Sequence, residues 1–285
     1  MSNKLINGKE IGAQIRLTIQ KEVKELVDQG ITPGLAVILV GDDAASHTYV
    51  ANKEKACAQL GIYSELIRLP KETTEVELLA HIAKLNTDAK IDGILVQLPL
   101  PKHIDEQHVI ESISPHKDVD GFHPVSVGKM LLGQPTFLPC TPHGVMKLLQ
   151  YSNVEIAGKH AVVVGRSHIV GVPMGQLLLQ QDATVTYCHS KTPDLAAMTT
   201  QADILVVAVG RAKMIKAEHI KEGAVVIDVG MNRDENGKLC GDVDFDDVFE
   251  KVAAITPVPG GVGPMTITML LVNTLQSAKA KVKLA

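Results

Sequence analysis

A short apolar run leads directly into a glycine-rich turn, and this junction constrains the fold more than any other feature of the chain. Residues 161–164 read Ala-Val-Val-Val, Gly165 follows at once, and Gly171 stands six residues later. Pro173 then suits the first turn of a helix. A strand that passes through such a turn into a helix lets backbone amides approach a pyrophosphate, next to the partial positive charge of the helix N-terminus. The junction therefore predicts a dinucleotide-binding α/β domain.

The turn departs from the usual G-x-G-x-x-G spacing, because Ser167 stands in place of the second glycine. A plain strand-to-helix turn would explain it in isolation. The surrounding chain favours cofactor binding, since further buried strands are predicted over 184–188, 204–209, 225–229 and about 253–256.

The end of the second of these strands indicates which cofactor is bound. An NAD enzyme usually places Asp or Glu there for the ribose hydroxyl, but this chain reads Cys188-His-Ser190. Arg166 and Ser190 can instead hold a 2′-phosphate by charge and by hydroxyl hydrogen bonds. The sequence therefore favours NADP.

The first half of the chain also alternates helix and strand. Asn7 and Glu10 have capping-box spacing before a helix that stops at Gly30. Strands are predicted over 35–40, about 64–69 and 93–97, with a helix from the turn at 41–43 to Gly61 and another over about 73–85. We expect a small doubly wound domain of parallel strands.

The predicted fold class is therefore α/β with two domains. Residues 1–139 plus 265–285 form the expected substrate and catalytic domain, because the last helix, starting near Pro264, can return across the first domain. Residues 140–264 form the expected Rossmann-like NADP-binding domain.

Composition excludes several classes of partner. The 285 residues carry a formal net charge of −4 with scattered Lys and Arg, so we expect no nucleic-acid partner. Neither a signal peptide nor a membrane-spanning run is present, so we expect no membrane partner. The four cysteines are far apart and the histidines have no metal-ligand spacing, which predicts reduced thiols, no metal site and a cytoplasmic protein.

Tyr49 and Lys53 stand four residues apart on a predicted helix and so share one face. A partly desolvated lysine beside a polar partner is a candidate acid/base, and a tyrosine can orient it or stack on a flat substrate. An ordinary amphipathic surface has the same spacing. Tyr-x-x-x-Lys also marks short-chain dehydrogenases, but there the glycine-rich loop precedes the pair, whereas here it follows by more than a hundred residues.

Two polar residues can complete a site around this pair. Gln97 ends an apolar strand, where ligands bind in open α/β sheets, although it can equally cap backbone groups before the prolines. Asp120 precedes Gly121, as in a simple turn, but its carboxylate can accept two hydrogen bonds from a pterin-like ring. The Gly/Pro-dense segment 256–266 suits either a loop whose backbone lies close to a ligand or a rigid connection between domains.

Together these segments resemble the bifunctional methylenetetrahydrofolate dehydrogenase/cyclohydrolase family over nearly the whole chain. The matching stretches are 46–57, 92–101, 117–123, 139–144, 164–174, 202–210, 226–232, 241–244 and 257–266.

The resemblance implies roles for individual residues. Lys53 is the implied central catalytic residue, Tyr49 and Gln97 position substrate and tune its amine, and Asp120 grips the pterin. The implied substrate-binding residues are Tyr49, Lys53, Gln97, Leu98, Asp120, Pro259, Gly260 and Gly261. The implied cofactor contacts are Gly165, Arg166, Ser167, Ser190 and Met231.

The same resemblance implies two reactions of one-carbon metabolism, used in purine biosynthesis. NADP-dependent oxidation converts 5,10-methylenetetrahydrofolate to 5,10-methenyltetrahydrofolate, and hydrolysis then gives 10-formyltetrahydrofolate. It also implies a homodimer. Two alternatives remain: a two-domain dehydrogenase of the shikimate dehydrogenase type, which leaves the Gln97 and Asp120 segments unexplained, and a non-catalytic NADP or folate sensor, against which Lys53 argues.

Overall fold

The computed structural model describes residues 4–282 and has the predicted alternation of helices and strands. Its contacts divide the chain into two compact units. The three-stranded unit comprises Gln14–Cys140 and the C-terminal segment from Ile267. The five-stranded unit comprises Thr141–Thr266 and the N-terminal segment through Ala13.

The first part of the chain forms five helices and three strands. They are α1 (Gly8–Asp28), β1 (Gly34–Val40), α2 (Ala44–Leu60), β2 (Tyr63–Leu69), α3 (Glu75–Thr87), β3 (Gly93–Val96), α4 (Glu106–Ser112) and α5 (Pro124–Leu131). The strands form a parallel sheet in the order β2-β1-β3, as expected for a βαβαβ series.

Apolar side chains on β1, β3, α3 and α4 form the core on one side of this sheet. Ile82 of α3 and Ile94 of β3 are both fully buried there. Because the strands of a parallel sheet are covered on both faces, β1 is buried along its whole length. The carboxyl ends of β1 and β3 are thereby held side by side, with Ile38 opposite Val96.

The rest of the chain forms α6 (Cys140–Tyr151), β4 (His160–Val164), α7 (Gly171–Leu179), β5 (Thr184–Cys188), α8 (Leu195–Thr199), β6 (Ile204–Val207), β7 (Val225–Asp228), β8 (Asn232–Arg233), β9 (Leu239–Cys240), α9 (Phe245–Val248), β10 (Ala254–Ile255) and α10 (Val262–Val282). Five of these strands form a parallel sheet in the order β10-β7-β6-β4-β5. The strand order reverses at β4, so the turn that begins at Gly165 lies where such sheets bind ligands.

The N-terminal segment differs from the expected division, which placed all of 1–139 in one domain. Ile6 N donates to Ile255 O at 2.9 Å, and Leu5 forms a parallel bridge with Ile255 at the β10 edge of the five-stranded sheet. These backbone bonds group the segment through Ala13 with the five-stranded unit.

Several elements were not predicted from the sequence. They are the helices α4, α5, α6, α8 and α9, and the antiparallel hairpin of β8 and β9. No helix among residues 4–282 combines the length and the apolar character that a membrane crossing requires.

Candidate active site

Helix α2 places Tyr49 and Lys53 on one face. Its N-terminus is capped by Asp43, whose side chain accepts from Ser46 N at 2.8 Å, and its C-terminus by Gly61 in the left-handed region at φ 75°. Lys53 is 7% exposed, whereas Tyr49 is partly buried. The amphipathic-surface alternative therefore does not describe Lys53, because its amine lies inside the unit.

Gln97, directly after β3, is the polar partner of that amine. Lys53 Nζ donates to Gln97 Oε1 at 2.8 Å, and Gln97 Nε2 donates to Leu98 O at 2.7 Å. The second bond fixes the amide so that its oxygen faces the lysine. The backbone N–H of Gln97 donates to Ile38 O at 2.8 Å, so the sheet itself holds the residue in place.

Asp120 lies in a tightly fixed segment of the same unit. The preceding carboxylate, Asp118, accepts from Phe122 N, His123 N and Ser126 Oγ at 3.1, 2.9 and 2.7 Å. Gly121 has φ 75°, and a Cβ there would lie 2.6 Å from the backbone of Leu138. The turn that carries Asp120 is thus fixed by its neighbours, and Asp120 lies near enough to Lys53 for their charges to interact.

Burial and mutual charge set the ionisation of this cluster. Burial lowers the pKa of Lys53, while the charge of Asp120 acts in the opposite direction. Burial raises the pKa of Asp120 to about 6, and the nearby Lys53 opposes this shift. Burial also raises the pKa of Tyr49, so its phenol stays protonated at neutral pH. A lysine with a lowered pKa supplies neutral amine at lower pH than an exposed lysine does, which suits proton transfer.

Two residues that the sequence analysis did not single out complete the cluster. The thiol of Cys140 donates to Val119 O at 3.3 Å and hydrogen-bonds the Asp120 carboxyl. Asn273 of α10 donates through Nδ2 to the same Val119 O at 2.8 Å and to Leu138 O at 3.0 Å. The sequence signal for Cys140 is its position in 139–144, one of the stretches that resemble the family. No such signal exists for Asn273, which is more than a hundred residues from Asp120 in sequence.

The glycine-rich turn of the five-stranded unit is shaped for close backbone approach. Gly165 has φ 134°, and a Cβ there would collide with Ala208 O. A Cβ on Gly171 would collide with the carbonyl of Gly165. Ser167 Oγ accepts from Val170 N at 3.2 Å and Gly171 N at 3.3 Å, so the serine in place of the second glycine orders the start of α7. These residues fit a pyrophosphate at the helix N-terminus.

The other predicted cofactor residues lie at the ends of neighbouring strands. Arg166 and Ser190 are exposed just beyond the paired strands β4 and β5. Met231, 44% exposed, lies in the segment after β7. A charged guanidinium and a hydroxyl beyond adjacent strand ends suit a 2′-phosphate.

The predicted substrate residues do not all belong to one unit. Tyr49, Lys53, Gln97, Leu98 and Asp120 lie in the three-stranded unit. Pro259, Gly260 and Gly261 lie in the five-stranded unit, where Gly260 O accepts from Lys9 N at 3.2 Å and Gly261 N donates to Pro257 O at 2.8 Å. Across 4–282, no three His, Cys, Asp or Glu side chains are arranged to hold a metal ion.

Two domain families match the chain. Residues 6–120 match the tetrahydrofolate dehydrogenase/cyclohydrolase catalytic domain. Residues 139–282 match the tetrahydrofolate dehydrogenase/cyclohydrolase NAD(P)-binding domain. Between them the two matches span most of the chain, in the order that the sequence analysis expected.

Individual relatives are similar to this chain over nearly their full length. A bifunctional protein FolD from Lysinibacillus sphaericus is 69% identical over 281 residues, which is 99% of both chains. The crystal structure of the bifunctional enzyme FolD, a methylenetetrahydrofolate dehydrogenase/cyclohydrolase from Campylobacter jejuni, is 52% identical with a TM-score of 0.95, covering 97% of this chain and 99% of that one.

A third relative was solved with a cofactor. The FolD of Trypanosoma brucei, a methylenetetrahydrofolate dehydrogenase-cyclohydrolase complexed with NADP and an inhibitor, is 42% identical, has a TM-score of 0.94 and covers 98% of each chain. The two domain matches and the full-length relatives confirm the resemblance and leave the shikimate dehydrogenase type unsupported. The chain belongs to the tetrahydrofolate dehydrogenase/cyclohydrolase family.

Proposed function

We propose that this protein is a bifunctional enzyme that oxidises 5,10-methylenetetrahydrofolate with NADP and hydrolyses the 5,10-methenyl product to 10-formyltetrahydrofolate. The observation that carries the proposal is the hydrogen bond from Nζ of the buried Lys53 to Gln97 Oε1, at 2.8 Å. A buried amine with a fixed partner and a neighbouring carboxylate is equipped for proton transfer. The three-stranded unit is the proposed catalytic domain, and the five-stranded unit the proposed NADP-binding domain.

In the first reaction the bridging carbon of the substrate loses a hydride, which leaves a methenyl cation. Bound NADP supplies the hydride acceptor. Asp120 accepts hydrogen bonds from the pterin, and Tyr49 offers a ring for stacking. Leu98, Pro259, Gly260 and Gly261 are the further proposed substrate contacts, and Gly165, Arg166, Ser167, Ser190 and Met231 the proposed cofactor contacts. Orientation contributes most at this step, because the donor carbon and the acceptor must meet in one geometry.

In the second reaction water adds to the methenyl carbon. Neutral Lys53 takes a proton as the carbon–oxygen bond forms, which gives a tetrahedral intermediate and an ammonium. The ammonium then returns its proton to N5, the bond from carbon to N5 breaks while the hydroxyl of the intermediate loses its remaining proton to solvent, and the resulting formyl group stays on N10. Gln97 holds the amine in place through both transfers, and one proton is released overall.

Replacing Lys53 by Met removes the proposed acid/base group while keeping an apolar chain of similar length. We expect Lys53→Met to lower the hydrolysis of methenyltetrahydrofolate by at least ~100-fold, because general acid–base catalysis contributes that much. NADP binding is expected to persist. Lys55→Met is the matched control, since Lys55 is exposed on the same helix. Hydrolysis that survives in Lys53→Met would contradict the role of the lysine.

The raised pKa of Asp120, about 6, predicts a pH dependence of substrate binding. The ionised carboxylate is the proposed pterin acceptor, and it is lost as the pH falls through that pKa. The KM for methenyltetrahydrofolate should therefore rise below about pH 6, by up to about tenfold per pH unit. The Asp120→Asn variant should have a high KM that does not rise further below pH 6. The assignment would be refuted if the KM of the native enzyme did not change with pH, or if the KM of Asp120→Asn still rose below about pH 6.

Arg166 is expected to select the phosphorylated cofactor. Arg166→Ala should weaken binding of NADP by more than binding of NAD, because the guanidinium pairs with the 2′-phosphate. Titration calorimetry with each cofactor measures the difference. Arg233→Ala removes an exposed arginine of the same unit, whose guanidinium donates to Gly237 O, and serves as the control. Equal losses for both cofactors in Arg166→Ala would rule out this role.

We also propose a cytoplasmic homodimer. Strand β2 is an edge strand of its sheet and is partly exposed along most of its length, which supports pairing with a second copy. The four cysteines are unpaired, as expected in a reducing compartment. Sedimentation at micromolar concentration should find a dimer, and a monomer alone would reject the homodimer.

A further inference from the structure

Two buried aspartates lie at the carboxyl end of the five-stranded sheet, outside the residues assigned so far. Asp228 is the last residue of β7 and is 3% exposed. Asp242 follows the hairpin of β8 and β9 and is fully buried. The chain leaves the sheet at Asp228, makes the hairpin and returns, so that the two aspartates meet.

Asp242 binds two separate segments of backbone. One carboxylate oxygen accepts from Val209 N at 2.7 Å and Gly210 N at 3.1 Å. The other accepts from Arg211 N at 2.8 Å and from Asn232 Nδ2 at 2.9 Å. The first three donors belong to the turn after β6, and the fourth, Asn232, is the first residue of the hairpin. One carboxylate therefore fixes the exits of two adjacent strands.

Asp228 in turn fixes Asp242. Its carboxylate accepts from Gly230 N, Asp242 N and Val243 N, each at 2.9 Å. A Cβ on Gly230 would collide with the Asp242 carboxyl, and one on Gly241 with the Asp228 carboxyl. Glycine at both positions permits this close approach, so the arrangement is a built feature of the chain.

Burial of the two aspartates also has an energetic cost. Two carboxylates within one short segment of the interior must both lose their hydration, and each repels the other. Burial, together with the charge of Asp242, raises the pKa of Asp228 to about 7. An apolar side chain in place of Asp242 would leave its three backbone donors and the Asn232 amide without their acceptor, so this carboxylate is needed to hold the two strand exits.

The fixed segments are those that border the proposed cofactor site. The turn held by Asp242 continues from Ala208, whose carbonyl lies against Gly165. The segment between Gly230 and Asn232 contains Met231, a proposed cofactor contact. We infer that Asp242 is a positioning residue for the dehydrogenase reaction, which holds the exits of β6 and β7 in the conformation that receives NADP. This inference rests on the proposed function.

Asp242→Asn keeps the side-chain shape but turns one acceptor into a donor that faces backbone N–H groups. We expect the Kd of NADP, measured by titration calorimetry, to rise by about tenfold or more, the equivalent of losing a hydrogen bond to a charged group. Dehydrogenase kcat/KM should fall at least as much. Hydrolysis of added methenyltetrahydrofolate should stay within about twofold of the native rate, because none of the donors that Asp242 holds is a proposed substrate contact or proton-transfer group.

Asp203→Asn is the matched control. Asp203 lies at the opposite, amino end of β6, where it accepts from His160 N at 2.9 Å and pairs with Lys221. A general loosening of the unit would raise the Kd of NADP in both variants, and that result would overturn the inference. Weakening confined to Asp242→Asn supports it.

Asn232→Ala removes one of the four donors and covers the case in which Asp242→Asn does not fold. It should raise the Kd of NADP in the same direction by a smaller factor, and an unchanged Kd would overturn the inference. Native protein that binds no NADP would instead overturn the proposed function, and the inference with it. If the native protein binds NADP and Asp242→Asn binds it with the same Kd, the positioning role of Asp242 alone would be overturned.

Discussion

The catalytic unit depends on the hydrogen bond that holds the amine of the buried Lys53 against Gln97. An ammonium that leaves water loses most of its hydration, so it stays in the interior only with polar partners or as the neutral amine. The structure provides both conditions: Gln97 accepts its hydrogen bond and Asp120 lies near it, while burial lowers its pKa. The same amine can therefore give and take a proton, which a hydrolysis through a tetrahedral intermediate requires.

The parallel sheets explain why the polar residues collect where they do. A parallel strand buried on both faces has no place for a polar side chain until it ends. In the three-stranded unit β3 ends and Gln97 follows at once. In the five-stranded unit β4 gives way to Gly165, and β7 ends in Asp228. One rule of strand geometry thus places the lysine's partner, the cofactor turn and the aspartate pair at carboxyl ends.

Patterns within a few residues predicted the local elements well. The run 184–188 has the bounds of β5, and Gly61 ends α2 as its sequence position suggests. Helices α4 and α5 are too short for a periodic apolar signal, although Asp105 caps one and Pro124 begins the other. Contacts between distant segments were beyond the sequence alone. The pairing of Leu5 with Ile255 and the bonds from Asp242 to the turn after β6 depend on how the chain returns.

The proposed site combines local helix geometry with tertiary packing. Helical spacing put Tyr49 and Lys53 on one face, but it left open whether that face was buried. The burial of Lys53 and its bond to Gln97 come from tertiary packing. Asp120 and Gln97 each had an ordinary backbone role in the sequence, and both have it in the structure as well. At these positions the proposed function is added to a structural role and does not replace it.

We propose that this one protein performs both reactions in succession. The most direct measurement mixes the purified protein with methylenetetrahydrofolate and either NADP or NAD, and follows reduced nicotinamide, the methenyl intermediate and 10-formyltetrahydrofolate separately. We expect that reduced cofactor and 10-formyltetrahydrofolate both form, with NADP preferred over NAD. Cofactor binding without any reduction, or methenyl product that accumulates at the uncatalysed rate of hydrolysis, would contradict it.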